Sequence, residues 1–148
     1  MKFEVFVPGS LPPSTNTAYR ISRGRMYISK EGNDWAEKAA LIIGAKHGHD
    51  PQEWKGKFLR VSFTFYAKSI LTYDVDGKIK ICLDTLSRKL GFDDRFVMKL
   101  SAQKLKGSEG VHIILEELPS KWHIPESEYH PSSPPNPPQS ILTGLSRN

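Results

Sequence analysis

The chain has 148 residues, with 21 Lys and Arg against 16 Asp and Glu for a net charge of +5, and 38% of its residues are hydrophobic, which suits one domain rather than two. Its single cysteine, Cys82, excludes an intramolecular disulfide and points to a reducing compartment. No apolar run approaches the roughly 20 residues of a membrane helix and the N-terminus has no secretion-signal pattern, so no membrane association and a cytoplasmic location are expected.

Lys2 to Val7 alternates polar and apolar residues and reads as a first strand. Leu11 to Asn16 (LPPSTN) reads as an extended loop, because paired prolines fit neither a helix interior nor a central strand. Ala18 to Ser22 and Arg25 to Ser29 read as two short strands joined across Arg23 and Gly24. Arg20, Arg23 and Arg25 then lie near the tip of a hairpin, where they suit phosphate contacts. A helix from about Asn33 to His47, opened by Ser29 or Gly32, puts Trp35, Ala39, Ile42 and Ile43 on one face. The following His47, Gly48, His49 and Asp50 read as a loop rather than a metal site, since no further soft ligands lie nearby. Phe58 to Ala67 alternates strongly and reads as a strand that delivers the chain towards an acidic stretch.

That stretch, Tyr73 to Asp94, holds Asp74, Asp76, Asp93 and Asp94 in a neighbourhood rich in Lys and Arg. Between Gly77 and Leu90, the residues Ile79, Cys82, Leu83, Leu86 and Leu90 recur at helical spacing, with Asp76 at the N-cap position and Gly91 at the C-cap position. Both acidic pairs therefore flank one helix. Asp74 and Asp76 leave the same face of an extended segment about 7 Å apart, so the pair can share a hard cation. Lys80 lies four residues after Asp76, so its ammonium projects beside the carboxylates. Capping and an i,i+4 ion pair would explain each piece separately, but clustered carboxylates repel unless a cation or a proton intervenes.

Arg95 to Lys106 and Gly110 to Leu118 read as two further strands turning over Gly107 to Gly110. The order β(3)-α-β-α-β(2) predicts an α+β domain with two helices packed on one side of a mixed sheet. From Arg88 to Lys106, six basic residues surround Asp93 and Asp94, a pattern that suits an enzyme holding a polyanion by its phosphates. Residues 1–118 form the domain. Residues 119–148, with five prolines in the eleven residues HPSSPPNPPQS, read as a flexible tail that could serve as a ligand for a protein partner.

The D-x-D-G motif, a Lys six residues after its first Asp, a further Asp on the helix at Asp84, and then G-F with an Asp-Asp pair resemble the RusA family of Holliday junction resolvases, often carried by phages and prophages. The resemblance extends to LPPSTNTAYR and to the run from Gly24 to Gly32, and covers most of residues 1 to 118. It implies magnesium, or manganese, held by Asp74, Asp76 and either Asp94 or Asp93, with Lys80 as the catalytic lysine. It also brings the loop bearing Asn16 close to the active site, so Asn16 joins Arg20, Arg23, Arg25, Lys78 and Arg95 as a candidate DNA contact. A hard oxygen donor set without a Cys or His cluster favours magnesium or manganese over zinc.

The expected function is a magnesium-dependent endodeoxyribonuclease that resolves four-way junctions by paired symmetric nicks in recombination and repair. Two symmetric cuts call for two active sites and hence a homodimer. A structure-specific nuclease of other branched replication intermediates, and a non-catalytic DNA-binding module whose acidic residues only cap a helix, are the alternatives.

Overall fold

The computed structural model describes residues 1–48, 50 and 52–120, so the expected tail lies outside the described residues from 121 onward, as does His49. The chain runs β1 (Lys2–Pro8), α1 (Thr15–Ala18), β2 (Tyr19–Ser22), β3 (Arg25–Ile28), α2 (Lys30–His47), β4 (Leu59–Ala67), α3 (Ile79–Leu90), β5 (Val97–Lys106) and β6 (Gly110–Glu117). Four strands form a mixed sheet in the order β1-β6-β4-β5, and β2 with β3 form a separate two-stranded ribbon. Strand β4 pairs antiparallel with β6 on one side and parallel with β5 on the other. The domain is α+β, as the order of elements predicts.

Alternation explains how the sheet faces the helices. Phe3, Val5 and Val7 of β1, Leu59, Val61, Phe63 and Phe65 of β4, and Val111, Ile113 and Leu115 of β6 are buried in one cluster with Trp35, Ala39 and Ile43 of α2 and Ile81, Cys82, Leu86 and Leu90 of α3. Each large apolar side chain removed from water there contributes about 1.5–3 kcal/mol. The opposite face carries the Glu4–His112 side-chain contact at 2.7 Å and the edge-on Phe6 and Tyr66 rings. Cys82 is fully buried, and its surroundings push the thiol pKa up, so it is a core residue and not a nucleophile.

Helix ends follow their local chemistry. The Ser29 hydroxyl accepts from the Gly32 amide at 3.1 Å and caps α2, and Gly91, left-handed at φ 76°, closes α3 with its amide on the Ser87 carbonyl. α2 begins at Lys30, earlier than the spacing of its apolar residues indicates, because Ser29 supplies the cap. His47 ends that helix, packed edge-on against Phe3 and paired with Glu53 at 3.3 Å, so it belongs to the structure of the helix end.

Tertiary packing changes four sequence expectations. The LPPSTN segment is not extended throughout, because Thr15 to Ala18 coil into one helical turn whose amides reach back to the Ser14 carbonyl. Asp76 is not an N-cap; it opens a 3₁₀ turn, Asp76–Lys78, and its side chain caps nothing. The buried stripe of α3 is Ile81, Cys82, Thr85, Leu86 and Leu90, with Ile79 and Leu83 at its rim, because the helix packs on α2 as well as on the sheet. Strands β5 and β6 do not pair with each other, since β4 lies between them.

The ribbon is fixed to the domain through its base. The Ser29 amide donates to the Ala18 carbonyl at 2.7 Å, and Gly32 sits so close that a Cβ there would lie 2.9 Å from that same oxygen and 3.0 Å from Ile28 Cγ1. Alanine would favour the helix by up to ~1 kcal/mol, but overpacking against backbone costs about 1–3 kcal/mol. Gly32→Ala is therefore expected to lower the thermal midpoint, measured by circular dichroism, although propensity alone points the other way.

Candidate active site

The segment between β4 and α3 is held by ties to distant parts of the chain. The Tyr73 hydroxyl donates to the Phe65 carbonyl at 3.4 Å, and Lys104 Nζ donates to the Tyr73 carbonyl at 2.9 Å. Lys78 Nζ donates to the Pro12 carbonyl at 2.7 Å, and Thr15 Oγ1 donates to the Gly77 carbonyl at 3.0 Å. The Lys78 and Lys104 ammoniums lie 5.0 and 5.1 Å from the centroid of the Tyr73 ring. These contacts bring the proline loop against the acidic stretch and enclose a pocket of about 590 Å³. Asp74, Asp76, Tyr73 and Lys78 line it on one side, Ser14, Thr15 and Asn16 on the other.

The carboxylates divide into two groups. Asp84 accepts from the Tyr19 hydroxyl and pairs with Lys80 at 3.2 Å. Asp93 accepts from the Arg95 amide and Nε, both at 2.9 Å, and pairs with its Nη2 at 2.7 Å. Arg95 holds the Asp93 carboxyl below the usual carboxylate range, and Asp93 in turn raises the Arg95 pKa. Burial first, and then the bond to Asp84, pushes the Tyr19 pKa up. Asp74, Asp76 and Asp94, in contrast, are exposed and make no side-chain hydrogen bond or ion pair among the described residues. Hard oxygen donors without a protein cation on them fit a divalent cation.

The three uncommitted carboxylates do not meet within one chain. Asp74 and Asp76 share the pocket before α3, whereas Asp94 opens a 3₁₀ turn, Asp94–Phe96, after it. The 12 residues of α3 separate the two positions by roughly 18 Å. The sheet agrees, since Tyr73 is tied to Phe65 while Val97, just beyond Asp94, pairs with Leu59 at the other end of β4. Among the described residues no three His, Cys, Asp or Glu side chains form a group that could hold a metal.

The other expected site residues are distributed around this pocket. Asn16 lines it. Lys80 is the second residue of α3, with its ammonium 5.0 Å from the Tyr19 ring centroid. Arg20, Arg23 and Arg25 are exposed on the ribbon, and Arg95 is exposed beside Asp93. Lys78 has a different setting: it is 8% exposed and its ammonium is engaged by Pro12. Tyr73 and Lys104 were not singled out from the sequence. The position of Tyr73 directly before Asp74 was a usable signal, but the Lys104 contact depends on the parallel register that sets it opposite Phe65.

An α+β domain that presents unneutralised carboxylates beside lysines is suited to a phosphodiester hydrolase that must hold both a polyanion and a hard cation. The chain belongs to the RusA endodeoxyribonuclease family, whose model it matches over residues 8–116. By family it is an endonuclease of DNA. No curated protein matches the chain.

Lys78 offers a test of how the pocket is held. Burial lowers its pKa from the ordinary 10.5, so between the lowered and the ordinary value the unfolded chain binds more protons than the folded one. Stability relative to a Lys78→Met variant should then rise as the pH increases towards 10.5. Urea unfolding of both proteins across neutral to alkaline pH checks the slope. The variant should also lose DNA cleavage, since the Pro12 tie that seats Asn16 and Thr15 opposite Asp74 and Asp76 is gone.

Proposed function

We propose that the protein is a magnesium-dependent endonuclease that cuts four-way DNA junctions as a homodimer. The observation that carries this reading is the presence of the unneutralised Asp74 and Asp76 in one pocket that Lys78 also lines, in a chain of this family. Magnesium, or manganese, bound there would activate water and neutralise charge at the phosphate under attack. Asp74 and Asp76 hold the ion with hard oxygen atoms, and Asn16 and Thr15 line the opposite wall against the sugar-phosphate backbone. Lys80, kept in place by Asp84 and Tyr19, adds positive charge where the leaving oxygen develops negative charge. The ribbon arginines engage flanking phosphates and position the duplex arms.

Asp94 is the better third ligand than Asp93, because Arg95 already occupies Asp93. Its place beyond the far end of α3 supports a reading in which it serves a second copy, so that each active site combines Asp74 and Asp76 of one subunit with Asp94 of the other. Two such composite sites match the approximate two-fold symmetry of a four-way junction and the paired nicks that resolution demands.

Cleavage of a synthetic immobile junction is expected only with a divalent ion present, and Asp74→Asn or Asp76→Asn should abolish it while leaving metal-free junction binding intact. Gel analysis of labelled strands reads both results, and a variant that cuts at the wild-type rate would remove that residue from the site. Mixing subunits distinguishes the composite arrangement. Asp76→Asn and Asp94→Asn proteins, each inactive alone, should regain single-strand nicking when dissociated and reassembled together, because each mixed dimer contains one intact site. If the carboxylates act within a single subunit, the mixture stays inactive.

A further inference from the structure

The β2–β3 ribbon carries apolar surface that the core does not use. Across an antiparallel ladder, paired residues share a face, so Tyr19 with Ile28 and Ile21 with Met26 lie on one side, while Arg20 with Tyr27 and Ser22 with Arg25 lie on the other. Tyr19 and Ile28 pack against the core, but Ile21 is 78% and Met26 62% exposed. The apolar face of the ribbon thus runs off the edge of the domain into solvent. Its turn, Arg23 and Gly24 with φ of 51° and 74°, has positive φ at both central positions, the pattern whose twist matches a tight two-residue hairpin. Asn or Gly would occupy the first of these positions with less steric cost, yet this chain places a guanidinium there.

Charge and location decide what this face meets. Residues 19–29 contain three arginines and no Asp or Glu, so the ribbon complements a polyanion. Its base adjoins the candidate active site, with the Tyr19 hydroxyl on Asp84, the Lys80 ammonium over the Tyr19 ring, and Thr15 of the preceding turn bonded to Gly77. The outside of a duplex offers phosphate and sugar, whereas apolar base faces become accessible where stacking is interrupted, as at a branch point. Ile and Met are among the side chains that enter such steps as wedges. We propose that Ile21 and Met26 insert into the base stack at the branch point of the DNA, while Arg20, Arg23 and Arg25 grip the phosphates on either side. This inference rests on the branched-DNA reading and adds the element that selects the branch over plain duplex.

The test uses a four-way junction with 2-aminopurine at the branch point, in the absence of divalent metal so that no cutting occurs. Wild-type protein should raise the fluorescence several-fold as the base unstacks. The Ile21→Ser/Met26→Ser double variant should bind the junction about tenfold more weakly without that rise, while its affinity for linear duplex and its thermal midpoint remain unchanged. An Ile21→Trp variant should keep the 2-aminopurine response, and its own indole emission should be quenched by the junction. A wild-type signal from the double variant overturns the wedge while leaving junction cleavage standing. Loss of dimerisation in the double variant by sedimentation, with junction-to-duplex preference intact, overturns it too by making the pair a protein contact. A wild-type protein that neither binds nor cuts junctions overturns the underlying reading itself.

Discussion

Strands β4 and β5 pair in parallel, and that pairing governs where the acidic groups on either side of α3 lie. A chain leaving the C-terminal end of one strand must travel back along the sheet before it can enter a parallel neighbour at its N-terminal end, and a helix is the usual return path. α3 performs that return, packing Ile81, Cys82, Leu86 and Leu90 against the sheet on the way. The residues before the helix and those after it are therefore held apart by its length. Asp74 and Asp76 belong to one end of the sheet and Asp94 to the other, and the burial of Leu86 and Leu90 makes that separation expensive to change.

The pocket that contains Asp74 and Asp76 is built around Tyr73. Its hydroxyl reaches β4, its carbonyl receives Lys104 from β5, and Lys78 and Lys104 both lie within cation–π distance of its ring. Lys78 then extends the connection to Pro12, so the proline loop, the acidic stretch and the parallel strands are fastened together at one point. A buried ammonium so placed loses solvation, which the carbonyl and the aromatic ring offset in part. The same positive charge stands near two carboxylates without pairing with either, which leaves their oxygen atoms available.

Electrostatic commitment distinguishes carboxylates that look alike in the chain. Asp84 and Asp93 have a structural partner each, Lys80 and Arg95, and their charges are compensated within the fold. Asp74 and Asp76, which share one pocket, have no such partner among the described residues, and a cation between them would relieve their repulsion. The basic ribbon and the Arg88 to Lys106 region supply charge of opposite sign around them, so the surface combines attraction for a polyanion with a local acidic spot.

Much of this was legible in the sequence because it depends on local rules. Period-two alternation located β1 and β4, Gly91 marked the end of α3, and the D-x-D-G motif with its downstream Asp pair indicated the family that the match over residues 8–116 shows, while the choice of Ser29 over Gly32 as the α2 cap came from the fold. Local spacing could not reveal which strands pair, and so placed β5 and β6 together when β4 separates them. It assigned Asp76 to capping, but Thr15 and Lys78 draw that turn into a 3₁₀ conformation through contacts more than 60 residues away in the chain. It also left Asp93 and Asp94 equivalent, since only folded geometry gives Arg95 to one of them. Residue types and short spacings determined which chemistry the chain can offer; long-range pairing decided which of those groups face one another, because register and crossover length are properties of the assembled sheet.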